Sequence, residues 1–156
     1  KDLFNIYSAS RVTGGGIVFH STGDLVFSCV ASINDAFFPK RLKNKMALIA
    51  DILKQSFREV DINLEYFDRN DINQDIKFCN TYFSPFELYS GEEKVLAMTL
   101  RKLKTCFLIQ GIVHLYSNHD YFSDVDPKYK KYFTKGLTQN VDIDTLVIKF
   151  KNNLGC

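Results

Sequence analysis

Arg11-Val12-Thr13-Gly14-Gly15-Gly16-Ile17-Val18-Phe19-His20 is the stretch from which the rest of this sequence is best read. Three consecutive glycines strip every Cβ from one patch of backbone just ahead of a β-rich run. A phosphate or carbonyl oxygen can then approach the main chain and accept its N–H groups. Arg11 adds a permanently charged, bidentate donor beside that patch. A bare glycine triplet is also an ordinary flexible turn, so the triplet alone decides little. His20 closes the β-rich run, where a histidine more often serves as a structural hydrogen bonder than as a proton carrier, and it is read as shaping the loop.

Working outward, Gly16–His20 and Leu25–Val30 read as the two strands of a hairpin turning at Gly23. Pro39 suits the first turn of a helix. Apolar residues then recur at Leu42, Met46, Ile49, Leu53, Phe57 and Val60, with Lys43, Lys45, Lys54 and Arg58 off that face, which predicts a helix. A strand is expected over Asn63–Phe67 and a loop over 68–75. Phe86–Tyr89 and Lys94–Leu100 read as a second hairpin across a Ser-Gly-Glu-Glu turn, and Cys106–Tyr116 as a long apolar strand. Short helices are expected over Asp126–Phe133 and Asp144–Asn152. Helices interspersed with mostly antiparallel strands, without repeats or linkers, indicate one α+β domain spanning 1–156.

The composition is that of an ordinary soluble globular chain, with 46% hydrophobic and 24% charged residues and a formal charge of +2. Nothing in that balance points to nucleic acid or membrane as a main partner. No apolar run is long enough to span a bilayer, and Lys1–Tyr7 is too polar for a signal peptide. Cys29, Cys79, Cys106 and Cys156 form no CxxC pair, and His20, His114 and His119 are not grouped around them, so no metal site is expected. Free thiols in a reducing cytoplasm are the expected state.

Ten contiguous positions from Arg11 to His20, followed by Gly23 and Ser28, resemble the signature loop of the lipoate–protein ligase and octanoyltransferase family. Its pattern is an Arg, a Ser or Thr, a glycine run, two apolar residues, a variable position and His. Biotin protein ligases share the fold, but their loop is richer in Arg and Gly and usually carries a Trp, which this chain lacks. A second stretch, Phe78 to Lys94, is similar to the octanoyltransferase branch. There, a Cys precedes an aromatic-Glu-apolar strand, a Gly turn and a Lys. Those roles fall on Cys79, Phe86-Glu87-Leu88, Gly91 and Lys94. Leu108-Ile109-Gln110-Gly111-Ile112 resembles the family's next strand, where a His or Gln precedes Gly.

The resemblance implies a biotin/lipoyl ligase-like catalytic domain lacking the elements that precede the glycine loop, as in a fragment or one half of a split ligase. It implies a loop of Arg11, Thr13, Gly14, Gly15, Gly16 and His20 around the acyl donor. Lys94 would stabilise the oxyanion formed when an acyl group passes to a protein lysine. Cys79 would carry that group as a thioester, its thiolate favoured by the nearby ammonium. The implied substrate is a lipoate or octanoate group. The acceptor is a lipoyl carrier domain of a dehydrogenase complex or of the glycine cleavage H protein, and an acyl carrier protein is the donor in the thioester route. ATP and Mg²⁺ are required if the enzyme is a ligase working through lipoyl-AMP. A degenerate or split subunit that only binds acyl groups or carrier domains is the non-enzymatic alternative. After the lysine the family's pattern is an apolar pair, Gly, a small residue, Ala and Gln. Here Val95-Leu96 keeps the pair, Ala97 is a mild change, and Met98 and Leu100 are larger and more apolar, implying a narrowed acyl pocket or a lost or altered activity. Cys29 and Cys106, inside apolar strands, are expected in the core.

Overall fold

A computed structural model describes residues 8–66, 79, 84–116, 133–137 and 139–155. Five strands form one antiparallel sheet. They are β1 (Leu25–Ser32), β2 (Glu65–Tyr66), β3 (Leu88–Ser90), β4 (Glu93–Lys102) and β5 (Cys106–Val113), in the order β1-β5-β4-β3-β2. Among the described residues two helices, α1 (Leu42–Arg58) and α2 (Ile143–Leu154), pack together. Among the described residues no helix is long and apolar enough to cross a membrane.

Opposed residues of paired strands share a face of the sheet, and successive residues alternate between faces. Phe27, Gly111 and Met98 stand in one row, and Cys29, Ile109 and Leu100 in the next. These rows belong to the core, with Ile49, Leu53 and Phe57 of α1 and Leu146 and Phe150 of α2. The neighbouring rows, Ser28–Gln110–Thr99 and Val26–Ile112–Ala97, face the other way. A Cβ on Gly111 would stand 2.3 Å from the Phe27 ring, so the bare glycine lets that ring lie flat against β5.

Most expected elements form, with local differences. Gly16–His20 does not pair with β1. A tight turn survives, Asp24 N–H donating to Ser21 O at 3.2 Å, but the partner of β1 is β5. The alternating run in Leu25–Ser32 matches the long apolar strand better than the short segment before it. α1 begins at Leu42, after Pro39. Asp142 caps α2 by accepting from the amides of Asp144 and Thr145, and Gly155 ends it in a left-handed conformation. Cys29 is half-buried and packs against the core, and Cys106 is half-buried at the start of β5. The loop expected over 68–75 and the helix over Asp126–Phe133 lie outside the described residues, apart from Phe133.

Lys45 departs from its expected place. It is fully buried, not on the solvent side of α1. Its ammonium sits 4.6 Å from the centroid of Phe107 and donates to Ile33 O at 3.4 Å. The aromatic faces supply part of what water would give a cation.

Candidate functional site

The polar face of the sheet carries the glycine loop. Thr13 Oγ1 donates to Gln110 Oε1 at 2.8 Å, Thr99 Oγ1 donates to Gly14 O at 2.9 Å, and Arg101 donates to Val12 O. The loop therefore lies across β4 and β5, held by side chains of the Ser28–Gln110–Thr99 row and by its neighbour Arg101. Arg11 turns back on its own loop, donating through Nε and Nη2 to Gly14 O and through Nη2 to Gly16 O at 2.9 Å. Gly15 sits at φ 102°, a conformation closed to side chains, and a Cβ there would stand 2.8 Å from Arg11 Nη2. Around Gly14 a Cβ would meet nothing within 4 Å, which leaves that amide approachable.

Lys94 reaches the same face through an irregularity. Leu88 pairs with Leu96, but Tyr89 pairs with Lys94, so one step along β3 matches two along β4. The extra residue, Val95, reverses the alternation. Leu96 keeps to the core, and Lys94 joins Glu87 and Tyr89 on the opposite side. Without the bulge, Lys94 would share the core face with Leu96 and Met98. Val95 O accepts from His114 N at 2.8 Å, which fixes the bulge against β5. Thr134 Oγ1 donates to Lys94 O at 2.8 Å, and Lys135 N donates to Glu93 Oε2 at 2.9 Å, closing this end of β4.

The Lys94 ammonium lies 2.7 Å from Glu87 Oε2, with both side chains 2% exposed. It also donates to Cys79 O at 2.7 Å, while Cys79 N donates to Ile17 O at 2.8 Å. A chain of contacts thus runs from the end of the glycine loop through Cys79 to Lys94. Burial raises the Glu87 carboxyl above its ordinary range, against the pull of Lys94 and of the Ser84 amide. It also raises the Tyr89 phenol, which donates to Glu87 Oε2 at 3.4 Å.

Around the Cys79 thiol the surroundings work against the thiolate rather than for it. Burial pushes its pKa up, Glu87 adds to the rise, and the opposing pull of Lys94 is smaller. The reason is local: Glu87 already answers the ammonium's charge, and a thiolate in this place would lose its water. His20 is exposed, and its pKa is lowered by desolvation and by the neighbouring His114 and Arg11, although Asp24 acts against this. Asp24 is the centre of a buried group beneath it. Its Oδ2 accepts from Ser21 N at 2.8 Å and lies 3.3 Å from His114 Nδ1, holding the Ser21–Asp24 turn to β5.

Sequence reasoning passed over Glu87 and Thr99 as working parts of this face, although Glu87 stood inside a quoted motif. The motif marked Glu87, but Glu87, Tyr89 and Lys94 share a face only because β4 is bulged, which no spacing rule reveals. Arg101 and His114 carried no signal at all. Among the described residues, no group of three or more His, Cys, Asp or Glu is placed to hold a metal ion.

Comparison with known proteins agrees with this geometry. Residues 4–146 match the family model described as the lipoyl protein ligase A/B catalytic domain. The fold is similar to that of a Thermoplasma acidophilum lipoate protein ligase homologue, Ta0514, solved with bound lipoic acid. The TM-score is 0.68 at 20% identity, over 93% of this chain and 56% of that one. A lipoate-protein ligase A bound with ATP matches equally, with a TM-score of 0.68, 20% identity and the same 93% and 56% coverage. A bi-partite lipoate protein ligase described with its E2 lipoyl domain, also from Thermoplasma acidophilum, gives 0.61 at 22% identity, covering 93% and 56%. No curated protein sequence matches. The chain spans a little over half the length of these solved relatives. With the glycine loop, the bulged lysine strand and the antiparallel sheet all in one match, the chain belongs to the lipoyl protein ligase A/B catalytic-domain family.

Proposed function

We propose that residues 1–156 are one catalytic unit, a partial domain by the measure of its relatives, that attaches a lipoyl or octanoyl group to a lysine of a lipoyl carrier domain. The activated intermediate in this reading is an acyl-adenylate. The observation that carries it is the buried Lys94 ammonium, joined through Cys79 to the end of the glycine loop. An acyl-adenylate has two features that suit such a place. Its phosphate fits against loop amides around Gly14, where no side chain intervenes. Its acyl carbonyl gains negative charge as the acceptor amine attacks, beside a fixed cation.

In the first half-reaction the carboxylate oxygen attacks the α-phosphorus of ATP and pyrophosphate leaves. In the second, the acceptor amine attacks the acyl carbon, AMP leaves, and an amide forms as the amine loses its proton. Arg11 and Thr13 hold the loop in shape, and His20 borders it. The relatives solved with lipoic acid and with ATP support this route over a thioester, as does the raised pKa of Cys79. The relative described as a bi-partite ligase supports the reading in which a second polypeptide acts as a partner.

The test is adenylate formation by the purified chain with lipoate, ATP and Mg²⁺, followed by mass shift of an apo lipoyl domain. Lys94→Ala should lower acyl transfer by about a hundredfold or more, the scale of one lost oxyanion donor. Adenylate that forms only when a second polypeptide is added would establish the split form. A covalent octanoyl adduct on Cys79, formed from octanoyl carrier protein without ATP, would replace the adenylate route by the thioester route.

A further inference from the structure

One pole of the molecule is strongly basic. Lys40, Arg41 and Lys43 precede or open α1, and Arg101, Lys102 and Lys104 form the β4–β5 hairpin, all six exposed. The fold brings the two segments together. Ile33 N donates to Thr105 O at 3.0 Å, and the Phe38 ring stands 4.9 Å from that of Phe107. The whole chain has 20 Lys and Arg against 18 Asp and Glu, so its charges nearly balance. At this pole they do not: Asp35 is the single acid in 33–45, and 99–106 has none. No ion pair among the described residues engages the six cations.

Two further observations give the pole a use. Exposed apolar side chains, Phe37 at 47% and Leu103 at 42%, stand among the cations, as anchors do in a protein interface. The pole is also continuous with the site, because Arg101 bonds to Val12 O, where the glycine loop begins.

Building on the proposed function, we infer that this basic pole is the docking surface for the acceptor, an acidic protein face flanking the target lysine. Acyl transfer to a protein lysine requires an encounter that forms quickly and then dissolves. Complementary surface charge raises the association rate without fixing the complex. The six cations stand on a hairpin and a helix start, all exposed and interspersed with Phe37 and Leu103.

The experiment measures binding of an apo lipoyl domain to the chain by titration at about 20 and about 300 mM NaCl, separately from turnover. Salt at the higher level shortens the screening length to below 10 Å, so the expected loss of affinity is about tenfold or more. Lys102→Glu/Lys104→Glu should reproduce that loss at low salt, with adenylate formation and thermal melting unchanged. Equal affinity of this variant and the parent at low salt overturns the inference. So does a parent chain that binds phosphatidylserine vesicles through these lysines but not the lipoyl domain. Failure of adenylate formation in the parent sinks the catalytic reading instead, since binding is scored without turnover.

Discussion

Replacing Lys94 by Met removes the cation from a pair whose two side chains are each 2% exposed, and leaves the Glu87 carboxylate buried. Breaking a buried pair from one side costs about 3–5 kcal/mol. Glu87 keeps the Ser84 amide at 3.0 Å and the Tyr89 hydroxyl at 3.4 Å, and it can take up a proton. The expected loss is therefore at the lower end, about 3 kcal/mol, or roughly 6–12 °C in Tm for a domain of this size. The pH dependence follows from the Glu87 shift. Burial raises its pKa in the folded chain, so its contribution to stability is complete below the ordinary carboxylate range and is lost as pH rises through the folded value. Without Lys94 the folded value rises further, and the deficit should be larger at pH 8 than at pH 5. Glu87→Gln/Lys94→Met removes both charges and should regain most of the loss. Thermal unfolding of the parent, the single and the double variants at both pH values is the assay. A single variant that melts within about 1 °C of the parent, or a double variant no better than the single, would refute the argument.

Gly15→Ala forces a side chain into φ 102° and should strain the loop by about 1–3 kcal/mol, weakening lipoate binding in a calorimetric titration. Gly14→Ala, where a Cβ meets nothing within 4 Å, should leave the fold unchanged, and equal binding losses in the two would contradict this account. Because burial raises the Cys79 pKa, iodoacetamide should label Cys79 more slowly in the native chain than in urea at about pH 8.5. Faster native labelling, read by peptide mapping, would restore the thioester route. Lys45→Met keeps the shape of a fully buried side chain whose ammonium has no carboxylate partner among the described residues, and should raise Tm. A fall in Tm would show that the stacking on Phe107 outweighs the desolvation of the charge.

The relation between the two cations follows from their surroundings. Both Lys45 and Lys94 are buried, yet only Lys94 lies on the polar face, with Glu87 and a carbonyl at 2.7 Å. Lys45 lies under α1 against aromatic rings. A helical wheel assigns lysines to solvent because their charge is costly to bury. It has no knowledge of the Phe107 ring arriving from a distant strand to join that of Phe38.

The kind of most elements is legible from local spacing alone. Period-3.6 apolar spacing made α1, apolar-rich runs broken only by Thr99 and Gln110 made the middles of β4 and β5, and Asp142 and Gly155 set the ends of α2. The sequence by itself also determined the family, because the order Arg, Thr, three glycines and His is a local pattern that needs no partner to be recognised. The tertiary structure alone decided which strand β1 pairs with, because an edge strand is chosen by its competitors across the sheet. It alone decided the face on which Lys94 emerges, because one extra residue at Val95 reverses an alternation that is otherwise uniform. And it alone sets the surroundings of the Cys79 thiol, where burial and Glu87 raise the pKa against the pull of Lys94.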